Sequence, residues 1–320
     1  MLRQKKIKSK ETSSLHPRNQ HRDRYDFVAL TQTMPGLAQY VIRNKSAYDT
    51  IDFFDPEAVK ALNKALLLHH YGLSYWDIPD GYLCPSIPGR ADYIHYMADV
   101  LASFNHNVVP MGKKIIGLDI GIGANAVYPI LAIKEYNWNF IGSEVHLPSL
   151  EAAQLIADRN PSLQGKLTIR RQYNINKIFE GIILKDEFID LVVCNPPFHH
   201  DSKEAHQATM RKLKNLSPDN EPLPVLNFGG KDNELWRSGG ELQFAYDMIR
   251  ESQAFATSCF LFSIMLSKKI SIEPIIKALK KTEATEIKEI TMTNGQKISR
   301  IIIWSFLNER QQEMWSKSKK

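Results

Sequence analysis

Cysteine is scarce in this chain: Cys84, Cys194 and Cys259 stand apart, and none belongs to a Cys-x-x-Cys pair. That excludes a disulfide framework or a thiolate zinc site as the basis of the fold and implies a reducing compartment. Long hydrophobic runs are also lacking. The longest, Cys259 to Leu266, is too short to cross a bilayer and reads as a central strand. No signal-peptide core precedes it, so the expected address is the cytoplasm, with no membrane partner. Outside the first two dozen residues there is no excess charge of either sign. The chain carries 41 Lys and Arg against 35 Asp and Glu, a net charge of +6. Arg3, Lys5, Lys6, Lys8, Lys10, Arg18, Arg22 and Arg24 face only Glu11 and Asp23 there, so the whole excess lies in that one segment. Residues 1–24 are therefore expected to form a basic flexible arm for nucleic-acid phosphates. A solubilising tail is the plainer alternative. A mitochondrial presequence fits less well, given Glu11 and the missing leucine periodicity.

What is present is ordinary in bulk and informative in detail. At 320 residues, 43% hydrophobic and 24% charged, the chain suits one large α/β domain with a smaller module. The segment Lys114 to Ile120 reads as a buried strand and runs into Gly121-Ile122-Gly123-Ala124-Asn125-Ala126, a glycine-rich strand-to-helix turn. Gly121 and Gly123 allow close backbone approach to a ligand, and the helix starting near Asn125 offers unpaired N–H groups. A second strand, Asn139 to Ser143, ends in Glu144, 21 residues past Gly123. That spacing sets a carboxylate beside ribose hydroxyls, so the pair reads as a nucleoside-cofactor pocket.

A further strand, Phe188 to Cys194, closes on Asn195-Pro196-Pro197-Phe198. Strand carboxyl ends form the binding edge of an open parallel sheet. The two prolines remove backbone donors and fix φ, leaving an amide side chain, the Pro196 carbonyl and an aromatic ring. Such a set suits a planar amine: two oxygens accept from NH2 while Phe198 stacks on the ring that carries it. Taken alone, the triplet also reads as a strand ending in a proline turn.

Near the C-terminus, Thr285 to Thr293 and Ile298 to Phe306 flank Asn294-Gly295, a strong hairpin signal, so the last strands are expected to be antiparallel. A mostly parallel sheet closed this way resembles the Rossmann-like class I S-adenosylmethionine-dependent methyltransferase fold, and the proline loop resembles that of its amino-methyltransferases. The likeness extends to Leu15-His16-Pro17-Arg18-Asn19-Gln20-His21, to Asp55 through Asn63, to Cys84 through His95, and to Asn195 through His199. Together these resemble the bacterial 23S ribosomal RNA adenine-N6 methyltransferase F family, whose eukaryotic relative is methyltransferase-like protein 16. The similarity runs from about residue 16 to about 306.

The resemblance implies an S-adenosylmethionine-dependent enzyme that methylates the N6 amino group of an adenine in 23S rRNA, or in a large-subunit assembly intermediate, and acts as a monomer. It places Arg90 at the methionine carboxylate of the cofactor. Asp119, Gly121, Gly123, Asn125, Glu144 and Asn174 complete the cofactor set, and Asn195, Pro196, Pro197 and Phe198 hold the base. The segment Arg170 to Asn174 lacks the acid usual after the third strand of such folds, so which of these residues faces the cofactor adenine stays open. Two alternatives stand: a protein-glutamine N5 methyltransferase, which grips an amide with a similar loop, or a non-catalytic RNA-binding assembly factor.

The remaining segments divide as follows. Residues 25–108 read as an N-terminal helical RNA-binding module, with helices over Ala58 to His69 and Tyr93 to Phe104 joined by a proline-containing loop, Tyr75 to Arg90. Residues 109–320 read as the methyltransferase domain, carrying a polar insertion at about 199–240 whose lysines and arginines offer a second RNA contact. His199-His200-Asp201 suggests no metal, since adjacent side chains diverge and no third ligand is suitably spaced.

Overall fold

The computed structural model describes residues 14–197, 239–295 and 297–319. Its main sheet has seven strands in the order β5-β4-β3-β6-β7-β9-β8. These are β3 (Ile116–Ile120), β4 (Asn139–Glu144), β5 (Leu167–Arg171), β6 (Ile189–Cys194), β7 (Cys259–Leu266), β8 (Glu286–Asn294) and β9 (Lys297–Ser305). Five run parallel, and β9 lies antiparallel between β7 and β8. The hairpin turns at Asn294-Gly295, with Gly295 at φ 58°. Strand order reverses about β3, with β4 on one flank and β6 on the other, and that reversal opens the crevice at the strand ends. A β-carbon on Gly142 would sit 2.2 Å from Ile122, so this glycine lets the glycine-rich turn pack directly onto β4.

The sheet is covered by α4 (Val127–Tyr136), α5 (Leu147–Asp158), α6 (Gly240–Ser252) and α7 (Lys269–Leu279). Ahead of it lie α1 (Phe27–Thr33), a small hairpin of β1 (Val41–Arg43) and β2 (Asp49–Ile51), α2 (Pro56–Tyr71) and α3 (Ile87–Ser103). Asp55 caps α2 by accepting from the Glu57 N–H at 2.9 Å, and Gly72 ends it in the left-handed region at φ 59°. Helix α3 starts six residues earlier than its apolar spacing indicates, because Pro88 fits the first turn. Arg90 is thus helical rather than part of a loop.

The core does not part at residue 108. Ile94, Met97 and Leu101 of α3 share one buried cluster with Ile130 and Leu131 of α4 and with Leu261 and Ile303 of the sheet. The helical segment is therefore built into the same core as the sheet. No helix among the described residues is long and apolar enough to cross a membrane.

The expected flexible arm is corrected from Ser14 onward. His16, Asn19 and His21 are buried, and Asp92 accepts the His16 backbone N–H at 3.0 Å and the Asn19 amide. Arg18 donates to the Tyr136 hydroxyl at 3.0 Å and the His95 carbonyl at 2.9 Å, and pairs with Asp99 at 2.8 Å. Asp92, His95 and Asp99 share one face of α3, so the basic segment docks on a complementary stripe that a charge count cannot register. Residues 1–13 lie outside the described residues.

This docking carries a pH dependence. Burial lowers the His21 imidazole to about 4, with His70 adding to it, and burial lowers His95 to about 3, with His16 and Arg18 adding. Both folded values lie below the unfolded one near 6.5, so the stability they contribute is complete above pH 6.5 and is lost as pH falls from there, toward about 4 for His21 and about 3 for His95. At pH 5 the loss should reach about 2 kcal/mol per histidine, from the 1.36 kcal/mol that each pH unit carries. Thermal melts at pH 7.5 and 5 should show it, and a double His21→Phe, His95→Phe variant should lose most of that dependence.

The C-terminal tail is likewise ordered, as α8 (Glu309–Ser318), opened by a capping box between Asn308 and Gln311. Trp315 packs on Phe260 with ring centroids 4.5 Å apart and donates its indole N–H to Asp190 Oδ1 at 2.6 Å. Lys319 reaches the same buried carboxylate at 2.7 Å.

Candidate active site

At the carboxyl ends of β3, β4 and β6 lies a cavity of about 200 Å³. Gly121, Gly123, Asn125, Glu144, Arg90, Asn195, Pro196 and Pro197 all line it. Three sequence-separated motifs therefore meet at one opening. Asp119 and Asn174 are not among the lining residues, and Phe198 lies outside the described residues, as do His199 to Asp201.

The glycine turn is fastened to β4 from both ends. Gly121 and Ile122 donate their N–H groups to the Ser143 carbonyl at 3.0 and 2.9 Å, and Gly123 donates to Glu144 Oε2 at 3.0 Å. Gly121 holds φ 72°, and a β-carbon built there meets nothing within 4 Å, so open space faces the turn. Asn125 accepts from the Val127 N–H at 3.1 Å, an Asx-type contact just ahead of α4, while Trp76 donates its indole N–H to the Asn125 carbonyl at 3.0 Å. Ala126 between them sits in the left-handed region at φ 50°, fully buried.

Glu144 is buried and accepts three backbone N–H groups, from Gly123, Val145 and His146. Oε1 takes the last two and Oε2 takes the first, which fixes the carboxylate rigidly where β4 meets the cavity. Asp119 lies beneath the turn with Oδ1 buried and unpartnered among the described residues. Burial drives its carboxyl well above the usual range; Arg90 pulls it back and Glu144 pushes the same way as burial. Burial at this position of β3 therefore favours the protonated form of the acid.

Arg90 is half-buried, donates to the Tyr128 hydroxyl at 2.8 Å and forms no ion pair among the described residues. A guanidinium with no carboxylate partner, lining a cavity, is suited to an incoming carboxylate. Asp92, which might have paired with it, is engaged by His16 and Asn19.

After β5 the lining residue is Gln172 rather than Asn174. Asn174 is exposed and its side-chain oxygen accepts from the Asn176 N–H at 3.0 Å, an Asx turn that shapes the loop. Ile175, Lys177 and Ile178 of that loop also face the cavity. A single carboxylate holds it: Glu251 of α6 accepts from Ile178, Phe179 and Glu180 N–H at 2.9, 2.9 and 2.8 Å. Sequence reasoning missed Tyr128 and Phe244 of the lining, and left open which residue of 170–174 would face it. Tyr128 follows the glycine turn closely enough to have been flagged. Phe244 arrives from a helix distant in sequence and carries no signal of its own.

On the far side, Asn195 follows β6 with its side-chain oxygen buried and without a hydrogen-bond partner among the described residues. Such an acceptor is costly to leave unmade, by about 1–3 kcal/mol, so its retention marks a place where a donor arrives from outside.

Known proteins share this geometry. A family described as RNA methyltransferase matches residues 9–308. The chain belongs to this RNA methyltransferase family. It is 47% identical over 315 residues to the ribosomal RNA large subunit methyltransferase F of Yersinia enterocolitica, covering 98% of this chain and 94% of that one. The same figures hold for the corresponding protein of Yersinia pseudotuberculosis. Among solved structures, the catalytic domain of human METTL16 in complex with MAT2A 3′UTR hairpin 1 superposes with a TM-score of 0.77 at 28% identity, over 93% of this chain and 97% of that chain. The N-terminal domain of human METTL16 in complex with S-adenosylhomocysteine gives 0.73 at 26% identity, over 92% and 99%. The methyltransferase is S-adenosylmethionine-dependent, and family membership decides against the glutamine and non-catalytic alternatives.

The residues present fit that cofactor. A guanidinium without a carboxylate partner suits the methionine carboxylate, a rigidly held carboxylate at the strand end suits a ribose hydroxyl, and an apolar strip of Ile122, Val145 and Ile178 suits the adenine ring.

Proposed function

We propose that this enzyme methylates the N6 amino group of one adenine in 23S rRNA, in the cytoplasm, on free rRNA or on a large-subunit assembly intermediate. The observation that carries the reading is the buried Asn195 oxygen at the rim of the cofactor cavity, unpartnered among the described residues. Relatives named for large-subunit rRNA methylation support the substrate class.

S-adenosylmethionine supplies a sulfonium-bound methyl group as the electrophile. Asn195 Oδ1 accepts one amino hydrogen and the Pro196 carbonyl the other, orienting the nitrogen lone pair toward the methyl group and favouring a pyramidal nitrogen. No general base is needed at the amine, because the methylated cation is acidic enough to release its proton to water. Prolines 196 and 197 hold the acceptors still by fixing φ. Phe198 provides the stacking face for an unstacked base, worth ~1–3 kcal/mol against the cost of extrusion. Arg90, Gly121, Gly123, Asn125 and Glu144 bind the donor. Asp119 supports the turn from β3, and of residues 170–174 Gln172, which lines the cavity, is the one that faces the cofactor adenine. The direct test is mapping of N6-methyladenine in 23S rRNA from cells lacking the gene: one site should lose its mark and regain it on complementation, and an unchanged map refutes the substrate.

The basic residues ahead of the docked segment serve as an RNA phosphate contact in this reading. Deleting residues 2–13 removes Arg3, Lys5, Lys6, Lys8 and Lys10 while sparing the contacts of His16, Arg18 and Asn19. RNA affinity should weaken, and the slope of log affinity against log salt should become shallower by about 0.7 for each single-strand phosphate that is no longer neutralised. Cofactor affinity should hold. An unchanged slope in filter-binding titrations makes these cations bystanders.

A further inference from the structure

Strand β7 is apolar along its length except at one position, Ser263, which is fully buried. The paired register of β6 with β7 joins Ile189 to Cys259 and Leu191 to Leu261 and ends there. The next rung would pair Val193 with Ser263, at the level where β6 delivers Asn195 to the cavity. At that level two side-chain hydroxyls bind the β6 backbone. Ser263 Oγ donates to the Val192 carbonyl at 2.6 Å, and the Cys194 N–H donates to the Tyr93 hydroxyl at 3.3 Å. The two hydroxyls lie 2.8 Å apart. Since the one Ser263 proton is committed to Val192, the Tyr93 hydroxyl must donate to Ser263. The chain is therefore directional: Cys194 N–H to Tyr93 O–H to Ser263 O–H to Val192 carbonyl, with every buried group satisfied.

A Phe and Ala pair would fill the same volume but would take these partners from the Cys194 N–H and the Val192 carbonyl, so the two hydroxyls hold the β6 backbone at this level. Tyr93 also sits one helical turn after Arg90 on α3 and packs edge-on against Tyr128, the hydroxyl partner of Arg90, at 5.3 Å between ring centroids. One face of α3 thus touches both sides of the site.

We propose that Tyr93 and Ser263 are positioning residues for methyl transfer: they clamp the last turn of backbone before Asn195 and so fix the acceptor atoms of the proline loop relative to the methyl donor. Neither side chain lines the cavity, so neither touches cofactor or base. The requirement is steep, because a displacement of about 1 Å in a reacting pair costs on the order of a hundredfold in rate. The proposal rests on the placing of the acceptor base at Asn195.

The test pairs Tyr93→Phe with Ser263→Ala, which open the same chain from different elements, so that a folding failure of one leaves the other informative. Each should lower single-turnover methyl transfer at saturating S-adenosylmethionine and rRNA by about tenfold or more, with S-adenosylhomocysteine affinity within twofold of the parent. Amide exchange at Cys194 should quicken while exchange in β3 and β4 stays at the parental rate. The double variant should be no slower than either single one, as expected for one shared device. Turnover near the parental rate in either folded variant overturns the proposal, and so does a fall in cofactor affinity that matches the fall in rate. Asn195→Ala run alongside separates the two ideas. If it too keeps full turnover, the placement of the base is at fault; if it loses turnover while both hydroxyl variants keep theirs, the clamp alone is refuted.

Discussion

Asn195→Ala should slow methyl transfer about a hundredfold and leave the protein as stable as before, or more so. The rate loss follows from removing an orienting acceptor from the transition state, on the order of 3 kcal/mol. The stability result follows from the opposite side of the same atom. Asn195 Oδ1 is buried and without a partner among the described residues, so the folded protein bears its desolvation and gains no bond in return. Losing it removes that penalty. S-adenosylhomocysteine affinity should stay within a few fold, since the amide borders the cofactor cavity while serving the acceptor. Single-turnover rates, calorimetric titration and a melting curve on one preparation decide the matter. Parental turnover would remove the role, and a lower melting temperature would mean that the oxygen is satisfied in solution.

Glu144→Ala should weaken S-adenosylmethionine and S-adenosylhomocysteine together, by about 2–3 kcal/mol or roughly 30- to 150-fold. A ribose contact is common to both ligands, and the structure adds a second cause. The same carboxylate accepts the Gly123 N–H, so its loss also releases the turn that the cofactor lies against. Glutamine should rescue poorly. Three backbone donors converge on the two carboxylate oxygens, and an amide would turn its NH2 toward at least one of them. Titrations showing unchanged affinity for both ligands in Glu144→Ala would reduce this residue to an anchor for the start of α5.

Much of this was open to reading in one dimension. The strand ends at Ile120, Glu144 and Cys194, the turn between Gly121 and Ala126, and the Asn294-Gly295 hairpin are all local statements. Buried parallel strands are written as continuous apolar runs, and turns as glycine, proline and asparagine, so short-range chemistry fixes them. The motif spacing, and its likeness to an RNA methyltransferase family, followed from the same residues. Arg90, Gly121, Gly123, Asn125, Glu144 and Asn195 then met at one cavity.

What the sequence could not carry was complementarity between distant segments. Eight cations near the start read as a free arm, yet Arg18 belongs to Asp99 and Tyr136, which lie on two helices far along the chain. The last residues carry no motif of the resemblance, which ends at about residue 306, yet Trp315 and Lys319 close over a carboxylate buried in β6. Spacing left open which of residues 170–174 faces the cofactor, and only the folded loop places Gln172 on the cavity while the Asn174 oxygen is taken up by its own turn. Composition and spacing report what a side chain is able to do, whereas its partner is set by which surfaces the folded chain brings within about 3 Å, the reach of a hydrogen bond. Sequence alone determined the sheet and the motifs that meet at the cavity. The docked termini, the buried and unpartnered Asp119 oxygen among the described residues and the Tyr93–Ser263 chain were decided only by tertiary packing, because each depends on an environment that no local pattern specifies.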